Sequence, residues 1–194
     1  ADEFVELKNI TGGAVALFDA LVPTNTWKLS GLNYTFPTNL TLGANEWLLI
    51  VATNPAAFRA KYNVPLSVPI VGPFAGNLQN SGERLQLQQP GIPTTNGVPY
   101  VVIDEVRYND KAPWSVAADG GGATLQRLVT GAYGNDPTNW FGGTPTPGTN
   151  SAGGVPPVIT LQPTNRVIGL GNSISFTVAA SGDAPLHYRW QVRG

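Results

Sequence analysis

The sequence predicts an all-β fold, and three observations carry this prediction. Apolar residues recur at every second position in several short runs, which is the period of a half-buried strand. Glycine (23) and proline (17) separate these runs instead of forming one biased tract, as is typical of turn-rich β proteins. A hydrophobic fraction of 42% is enough for a packed core, so we do not expect a disordered chain.

The first predicted strand begins almost at the first residue, in the run EFVELKN from Glu3 to Asn9. Val5 and Leu7 share one face of this strand, and Phe4 and Glu6 share the other. We interpret Glu6 as a carboxylate on the polar face of its strand.

Further strands follow in short runs. The nearly continuous apolar run WLLIVA, from Trp47 to Ala52, is interpreted as a buried strand because of its length and its flanking turns. Other strands are predicted at Ala14 to Phe18, Trp27 to Leu29, Tyr34 to Phe36 and Glu83 to Gln89.

One short helix is predicted within this β pattern. Asn54 is a good N-cap, and Pro55 suits the first helical position. Phe58 and Tyr62 lie four residues apart, so both can face the core. The proline-rich stretch 64–75 that follows is expected to be an edge strand or a loop.

The stretch from Tyr100 to Trp140 predicts two strands joined by a long loop rich in glycine and aromatic residues. A period of two places Val102, Val106 and Tyr108 on one face, with Asp104 as a polar interruption. This stretch is interpreted as the closing hairpin of the domain.

The composition of this loop is compatible with two kinds of binding site. Asp119 with Gly120 to Gly122, together with Asn135 and Asp136, suggests a calcium loop, but the acidic spacing of calcium-binding loops is absent, so structural turns are favoured. Trp114 and Trp140 suggest a sugar-stacking platform, and packing over the end of the fold is the favoured alternative.

No catalytic, cofactor-binding or metal-ligating residues are predicted. The residues interpreted as structural are Tyr108, Trp114, Asp119, Trp140 and Trp190.

The sequence changes character after residue 142. Residues 143–157 lack apolar periodicity and are rich in Gly, Pro and Thr, which indicates a linker between a first domain, 1–142, and a second unit, 158–194. In the second unit Ile174, Phe176 and Val178 alternate on one face of a predicted strand, and Trp190 lies on a later one.

The first domain resembles the bacterial lamin tail domain. The matching blocks run in order over roughly the first 140 residues. They are EFVELKN, YTFP, NPAAFRAKY, GNLQNSGERLQL, IDEVRYNDKAPW, ADGGGATLQRL and NDPTNW. The resemblance implies an immunoglobulin-like β-sandwich without enzymatic activity or catalytic residues. Members usually begin with one strand more than this chain has, so the sandwich is expected to lack its first strand.

The second unit resembles the N-terminal part of a bacterial immunoglobulin-like domain, with Trp190 as its strand-C tryptophan and Val178 where antibody domains place a cysteine. Such a domain needs roughly 100 residues, so residues 158–194 are expected to form only part of one. The chain has no methionine, so we expect that a leader was removed or that this is a segment of a longer protein.

Composition excludes several kinds of function. A net charge of −1 without a basic block argues against nucleic-acid binding, and no apolar run is long enough for a membrane span. The absence of cysteine excludes disulfides and thiol chemistry. The single histidine, His187, is interpreted as a surface residue. Asn9, Asn33 and Asn39 begin glycosylation sequons, of which some are expected by chance in a chain rich in Asn and Thr, and glycosylation is the less favoured alternative.

These observations favour a non-catalytic structural or adhesion module of a secreted or cell-surface bacterial protein. Its expected partners are other protein domains or copies of itself, bound through incomplete sandwich edges, and one form of this hypothesis is a fibre subunit assembled by strand exchange. Truncation is the other reason for the incomplete edges, and it is favoured over native ends. Another alternative is an accessory domain of a larger secreted enzyme, such as a CotH-type kinase or a hydrolase, and carbohydrate binding is a third.

Overall fold

A computed structural model describes residues 2–149, 158–169, 171–181, 188 and 190. The regular structure of these described residues is mostly β-strand with one short α-helix, which confirms the predicted all-β class. It divides into two compact units, Ala1–Ser151 and Ala152–Gly194, and the division falls inside the predicted linker. Most of that linker and His187 lie outside the described residues.

The first unit contains eleven named strands and the helix α1 (Pro55–Tyr62). The strands are β1 (Phe4–Lys8), β2 (Val15–Ala16), β3 (Lys28–Ser30), β4 (Tyr34–Thr35), β5 (Thr41–Leu42), β6 (Trp47–Val51), β7 (Ile70–Val71), β8 (Gly82–Pro90), β9 (Tyr100–Asn109), β10 (Thr124–Arg127) and β11 (Trp140–Gly143).

Two larger sheets organise these strands. One has the order β1-β6-β7, and the other has the order β4-β3-β8-β9. Smaller antiparallel pairs are formed by β2 with β5 and by β10 with β11. The larger sheets are antiparallel except that β7 runs parallel to β6, and α1 forms part of the connection between those two strands. A parallel neighbour needs such a crossover because a tight turn can only reverse the chain.

The first core receives side chains from both larger sheets. Leu48 and Ile50 of β6 belong to one buried cluster with Leu29 of β3 and Leu85 of β8. The two sheets therefore share one apolar layer, which is what stabilises a two-sheet arrangement.

The second core lies on the opposite face of β6. Leu49 and Val51 alternate with Leu48 and Ile50, and they pack in a separate cluster with Phe58 of α1. All four of these strand residues are fully buried. This explains the continuous apolar run, because a strand that is covered on both faces has no solvent side on which to place polar residues.

Local capping fixes the ends of α1. The Asn54 side-chain oxygen accepts hydrogen bonds from the backbone N–H groups of Ala56 (2.9 Å) and Ala57 (3.1 Å). At the other end Asn63 adopts a left-handed conformation with φ of 50°, and its N–H donates to the Arg59 carbonyl. The predicted helix and its N-cap are thus confirmed.

A β-bulge changes the predicted face of one residue in β9. Leu87 pairs with Asp104, but Gln88 pairs with Val102, so Ile103 is an extra residue in β9. The extra residue inverts the alternation, and Val102 lies on the outer face with 43% exposure. The prediction that Val102 shares the face of Val106 is therefore wrong, because a period of two holds only in an unbulged strand.

In the second unit β12 (Val158–Leu161) pairs antiparallel with β13 (Ala179–Ser181). Its apolar side chains are largely uncovered, with Ile159 at 50% and Phe176 at 51% exposure. The Trp190 ring lies 6.2 Å from the Phe176 ring and is 59% exposed.

Candidate functional site

The prediction that Tyr100 to Trp140 forms a closing hairpin is wrong, because β9 pairs with β8 and β10 pairs with β11, so the two strands lie in different sheets. Of the side chains singled out in this stretch, Trp114 and Trp140 come together beside one ion pair. Arg127 of β10 donates two hydrogen bonds to the Asp104 carboxylate of β9, at 2.8 Å and 3.1 Å. The same guanidinium lies over the Trp140 ring, 5.2 Å from its centroid. An arginine that is paired and stacked in this way is held in one geometry, which ties β10 to the edge of β9.

The two tryptophans pack against each other at this point. Trp114 is buried, and its ring centroid lies 6.2 Å from that of the half-buried Trp140. The Trp140 indole N–H donates to the Gly134 carbonyl at 2.8 Å. Because one ring is buried and the other is covered by Arg127, they do not present the flat exposed face that sugar stacking requires.

The same loop covers part of the free edge of β9. The backbone N–H of Arg107 donates to the Asn135 side chain at 2.8 Å, and that of Glu105 donates to the Asp104 carboxylate at 2.9 Å. These side chains occupy donors that a neighbouring strand would otherwise bind. Capping of this kind protects an edge strand from unwanted pairing.

The first part of β9 differs from the capped part in that its apolar side chains are exposed. Val101, Val102 and Ile103 are 56%, 43% and 49% exposed, and β9 is the outermost strand of its sheet in the described part of the chain. This segment carries neither charge nor proline, so it lacks two common protections of an edge.

Asp119 lies at the end of a 3₁₀ turn, Val116–Ala118, and its backbone N–H donates to the Val116 carbonyl. The structure brings no group of three or more His, Cys, Asp or Glu residues together among the residues it describes. The arrangement at Asp119 is that of a surface turn.

Tyr108 packs against the first core, and its hydroxyl donates to the Gln79 carbonyl at 3.0 Å. Burial, reinforced by the nearby Glu83 carboxylate, raises the pKa of Tyr108 well above its ordinary value. The phenol therefore acts as a neutral hydrogen-bond donor that ties β9 to the turn before β8.

A shallow groove of about 400 Å³ lies beside the ends of β8 and β9. Arg84 and Arg107 are cross-strand partners there, and Arg84 is neutralised by Glu105 at 2.6 Å. The groove is polar and open, whereas small-molecule sites are enclosed and mostly apolar. Its lining residues are Gly82, Glu83, Arg84, Arg107, Tyr108 and Asn109.

Glu6 is the carboxylate whose environment differs most from the sequence interpretation. It pairs with Leu49 across the sheet and so lies on the face of the second core, not on a solvated face. Burial raises the pKa of Glu6 to about 7, while the facing Gly148 N–H and the Lys8 charge lower it by less. Its Oε1 atom is buried without a hydrogen-bond partner. Phe4 on the same face and the doubly buried β6 were the sequence signals for this environment.

The three sequons differ in accessibility. Asn9 is buried at 6% exposure. Its side chain forms hydrogen bonds with four residues: Thr11, Gly13, Leu42 and Gly43. Asn33 and Asn39 are exposed and adopt left-handed turns with φ of 50° and 61°. Asn9 is therefore a structural residue of the fold.

Comparison with protein-family models, curated proteins and solved structures finds no significant match to this chain. Among the described residues, α1 and the shorter helical turns fall well below the length and apolar character that a membrane-crossing helix requires.

Proposed function

We propose that the chain is a non-catalytic structural module of a secreted or cell-surface bacterial protein, with a lamin-tail-like immunoglobulin sandwich as its first unit. The observation that supports this most is the set of contacts that the polar and aromatic side chains of β9, β10 and the loop between them make with one another. Asp104, Arg127, Trp114 and Trp140 contact one another and hold loops, so they contribute to rigidity rather than to a reaction.

The sheet arrangement supports the sandwich part of the proposal. The sheets β1-β6-β7 and β4-β3-β8-β9 share the first core, and most neighbouring strands within them are antiparallel. Immunoglobulin-like sandwiches are built from two such antiparallel layers. The parallel strand β7 and the helix α1 are additions to that plan in this chain.

Assembly through strand edges is the form of this function that we propose. The start of β9 presents three exposed apolar residues and an outermost backbone, and the second unit exposes the apolar residues Ile159 and Phe176. Such edges recruit strands from other domains or from further copies of the same chain.

Sedimentation velocity of the full chain over a wide concentration range tests this proposal. We expect concentration-dependent association that is weakened by Val102→Lys, which places a charge beside the exposed edge. Val116→Lys, at an exposed valine in a surface turn (64%), is the matched control and should associate like the wild type. A full chain that remains monomeric up to its solubility limit would overturn assembly through strand edges.

A further inference from the structure

The backbone at the start of β9 has hydrogen-bonding groups that point away from its sheet. In an antiparallel pair, successive residues direct their N–H and C=O groups alternately toward the partner strand and away from it. The Gly91 N–H donates to the Pro99 carbonyl at 2.8 Å, which places the groups of Pro99 on the β8 side. By alternation Val101 also points toward β8, whereas Tyr100 and Val102 direct their N–H and C=O groups toward the outer edge. No strand lies beyond β9 in the described part of the chain, so these groups have no partner strand there.

This open edge is short because the rest of β9 is capped. After the bulge, the outward N–H of Glu105 donates to the Asp104 carboxylate at 2.9 Å. The outward N–H of Arg107 donates to the Asn135 side chain at 2.8 Å. A strand that adds to β9 can therefore pair with residues 100–102 but not with the part that follows the bulge.

The side chains along the open edge are uncharged and partly exposed. Val101 and Val102 are 56% and 43% exposed. The ring of Tyr100 is engaged by the Lys28 ammonium, which lies 4.0 Å from its centroid. The Asp104 carboxylate that follows the edge is already paired with an arginine of β10. A partner strand gains most at this edge by covering the valines, so the partner that fits is itself neutral and apolar.

We propose that this partner is the same edge of a second copy of the chain, paired antiparallel about a two-fold axis at Val101. In this register Tyr100 of each copy lies opposite Val102 of the other, and each such pair exchanges both of its N–H···O=C bonds. All the outward groups of both open edges are then used, and neither capped part is disturbed. The inference rests on the strand-edge assembly proposed above, and it names the partner and the register of one edge.

The side chains agree with this register. Tyr100 and Val102 lie on the same outer face, so the pairing sets an aromatic ring beside a β-branched side chain on each side of the axis, which is a favourable cross-strand combination. At the axis the two Val101 residues form a pair without mutual hydrogen bonds, which is the kind that brings side chains closest. Because a symmetric contact uses the same edge of both copies, association through β9 ends at a dimer and does not continue into a fibre.

Disulfide cross-linking tests this register directly, since the chain contains no cysteine. Val101→Cys places two thiols at the axis, where Cα atoms about 4.5 Å apart allow a disulfide. Val102→Cys is the matched control, because its Cα atoms would lie about 8–9 Å apart, beyond the reach of a disulfide. Val116→Cys, in an exposed turn, reports random collisions. Under mild oxidation of the full chain, most of the Val101→Cys variant should become a covalent dimer, and both controls should stay monomeric.

A second substitution tests the hydrogen bonds of the pairing. Val102→Pro removes an outward N–H but leaves the ladder between β8 and β9 intact, because that N–H does not point toward β8. Added to Val101→Cys, it should abolish most of the cross-linking, and unchanged cross-linking would overturn the pairing. Val102→Cys that cross-links as well as Val101→Cys would overturn the register.

Sedimentation of the wild type separates this inference from the function on which it rests. Association of the wild type without cross-linking of Val101→Cys would overturn self-pairing of β9 and leave assembly through another edge standing. A wild type that stays monomeric up to its solubility limit would overturn both.

Discussion

Asn9 offers the sharpest test of how this fold is stabilised. Its side-chain amide donates to the carbonyls of Gly13 (2.7 Å), Leu42 (3.0 Å) and Gly43 (2.8 Å). Its oxygen accepts from the Thr11 N–H and hydroxyl at 2.9 Å and 2.8 Å. One buried side chain therefore joins the turn after β1 to the end of β5.

Asn9→Ala removes these bonds and leaves buried carbonyls without a donor. A buried polar group left unpaired costs about 1–3 kcal/mol, and at least the Leu42 carbonyl bond is buried, so we expect a loss of about 3 kcal/mol in the free energy of unfolding. Urea unfolding followed by tryptophan fluorescence measures this loss.

Asn9→Asp keeps the shape but replaces the donating amide by an oxygen that faces three carbonyl oxygens. At neutral pH the introduced carboxylate is buried and repelled, so this variant should be less stable than Asn9→Ala. Below the raised pKa of the introduced group, protonation restores one donor, and the variant should then recover stability relative to Asn9→Ala.

Asn39→Asp is the matched control, because Asn39 is an exposed residue of another sequon in a left-handed turn. Its stability should change by a few tenths of a kcal/mol at most. The reasoning is refuted if Asn9→Asp is as stable as the wild type at neutral pH, or if its stability does not improve on acidification.

Three further predictions use the same unfolding assay. Phe58→Ala should cost about 3–5 kcal/mol, because the ring is 1% exposed and packs in the second core. Tyr108→Phe should cost about 1 kcal/mol, because it removes the hydroxyl that donates to the Gln79 carbonyl. The raised pKa of Glu6, about 7 against an ordinary 4.5, means that the folded state binds more protons in this interval. The contribution of Glu6 to stability should therefore be largest below its ordinary pKa and should fall by up to about 3 kcal/mol as the pH rises to about 7, and Glu6→Gln should remove this pH-dependent component.

Each of these predictions has a definite contrary outcome. A loss below about 1 kcal/mol for Phe58→Ala would contradict the tight packing of the second core. An unchanged midpoint for Tyr108→Phe would show that water replaces the carbonyl bond. A pH profile that is the same for the wild type and Glu6→Gln would rule out a perturbed carboxyl group at that position.

The features that the sequence predicts well are those set by local rules. Asn54 and Pro55 mark the start of α1 because an N-cap and the first helical turn involve only adjacent residues. The strand that begins at Trp47 is predictable for the same reason, because a short apolar run between turns is more typical of a buried strand than of a helix. Both predictions needed no knowledge of distant partners.

The features that sequence reasoning missed depend on distant partners. The bulge at Ile103 arises from the register of β9 against β8, and it moves Val102 to the outer face. Glu6 is buried because its face of β1 packs with the second core, to which Phe58 of α1 contributes from far along the chain. Arg127 and Asp104 meet only because the loop between them folds back on β9, and their spacing alone does not indicate that contact.

The second core also differs from the first in how it must be assembled. Its buried members Leu49, Val51, Phe58, Val64 and Val68 all lie in one continuous stretch of the chain, whereas the first core joins residues from Leu17 to Leu85. Closing the short loops within that stretch costs less conformational entropy than bringing distant strands together, and contacts between near neighbours in sequence form fastest. We therefore expect β6, α1 and β7 to collapse first during folding and to provide the surface on which the two sheets then assemble.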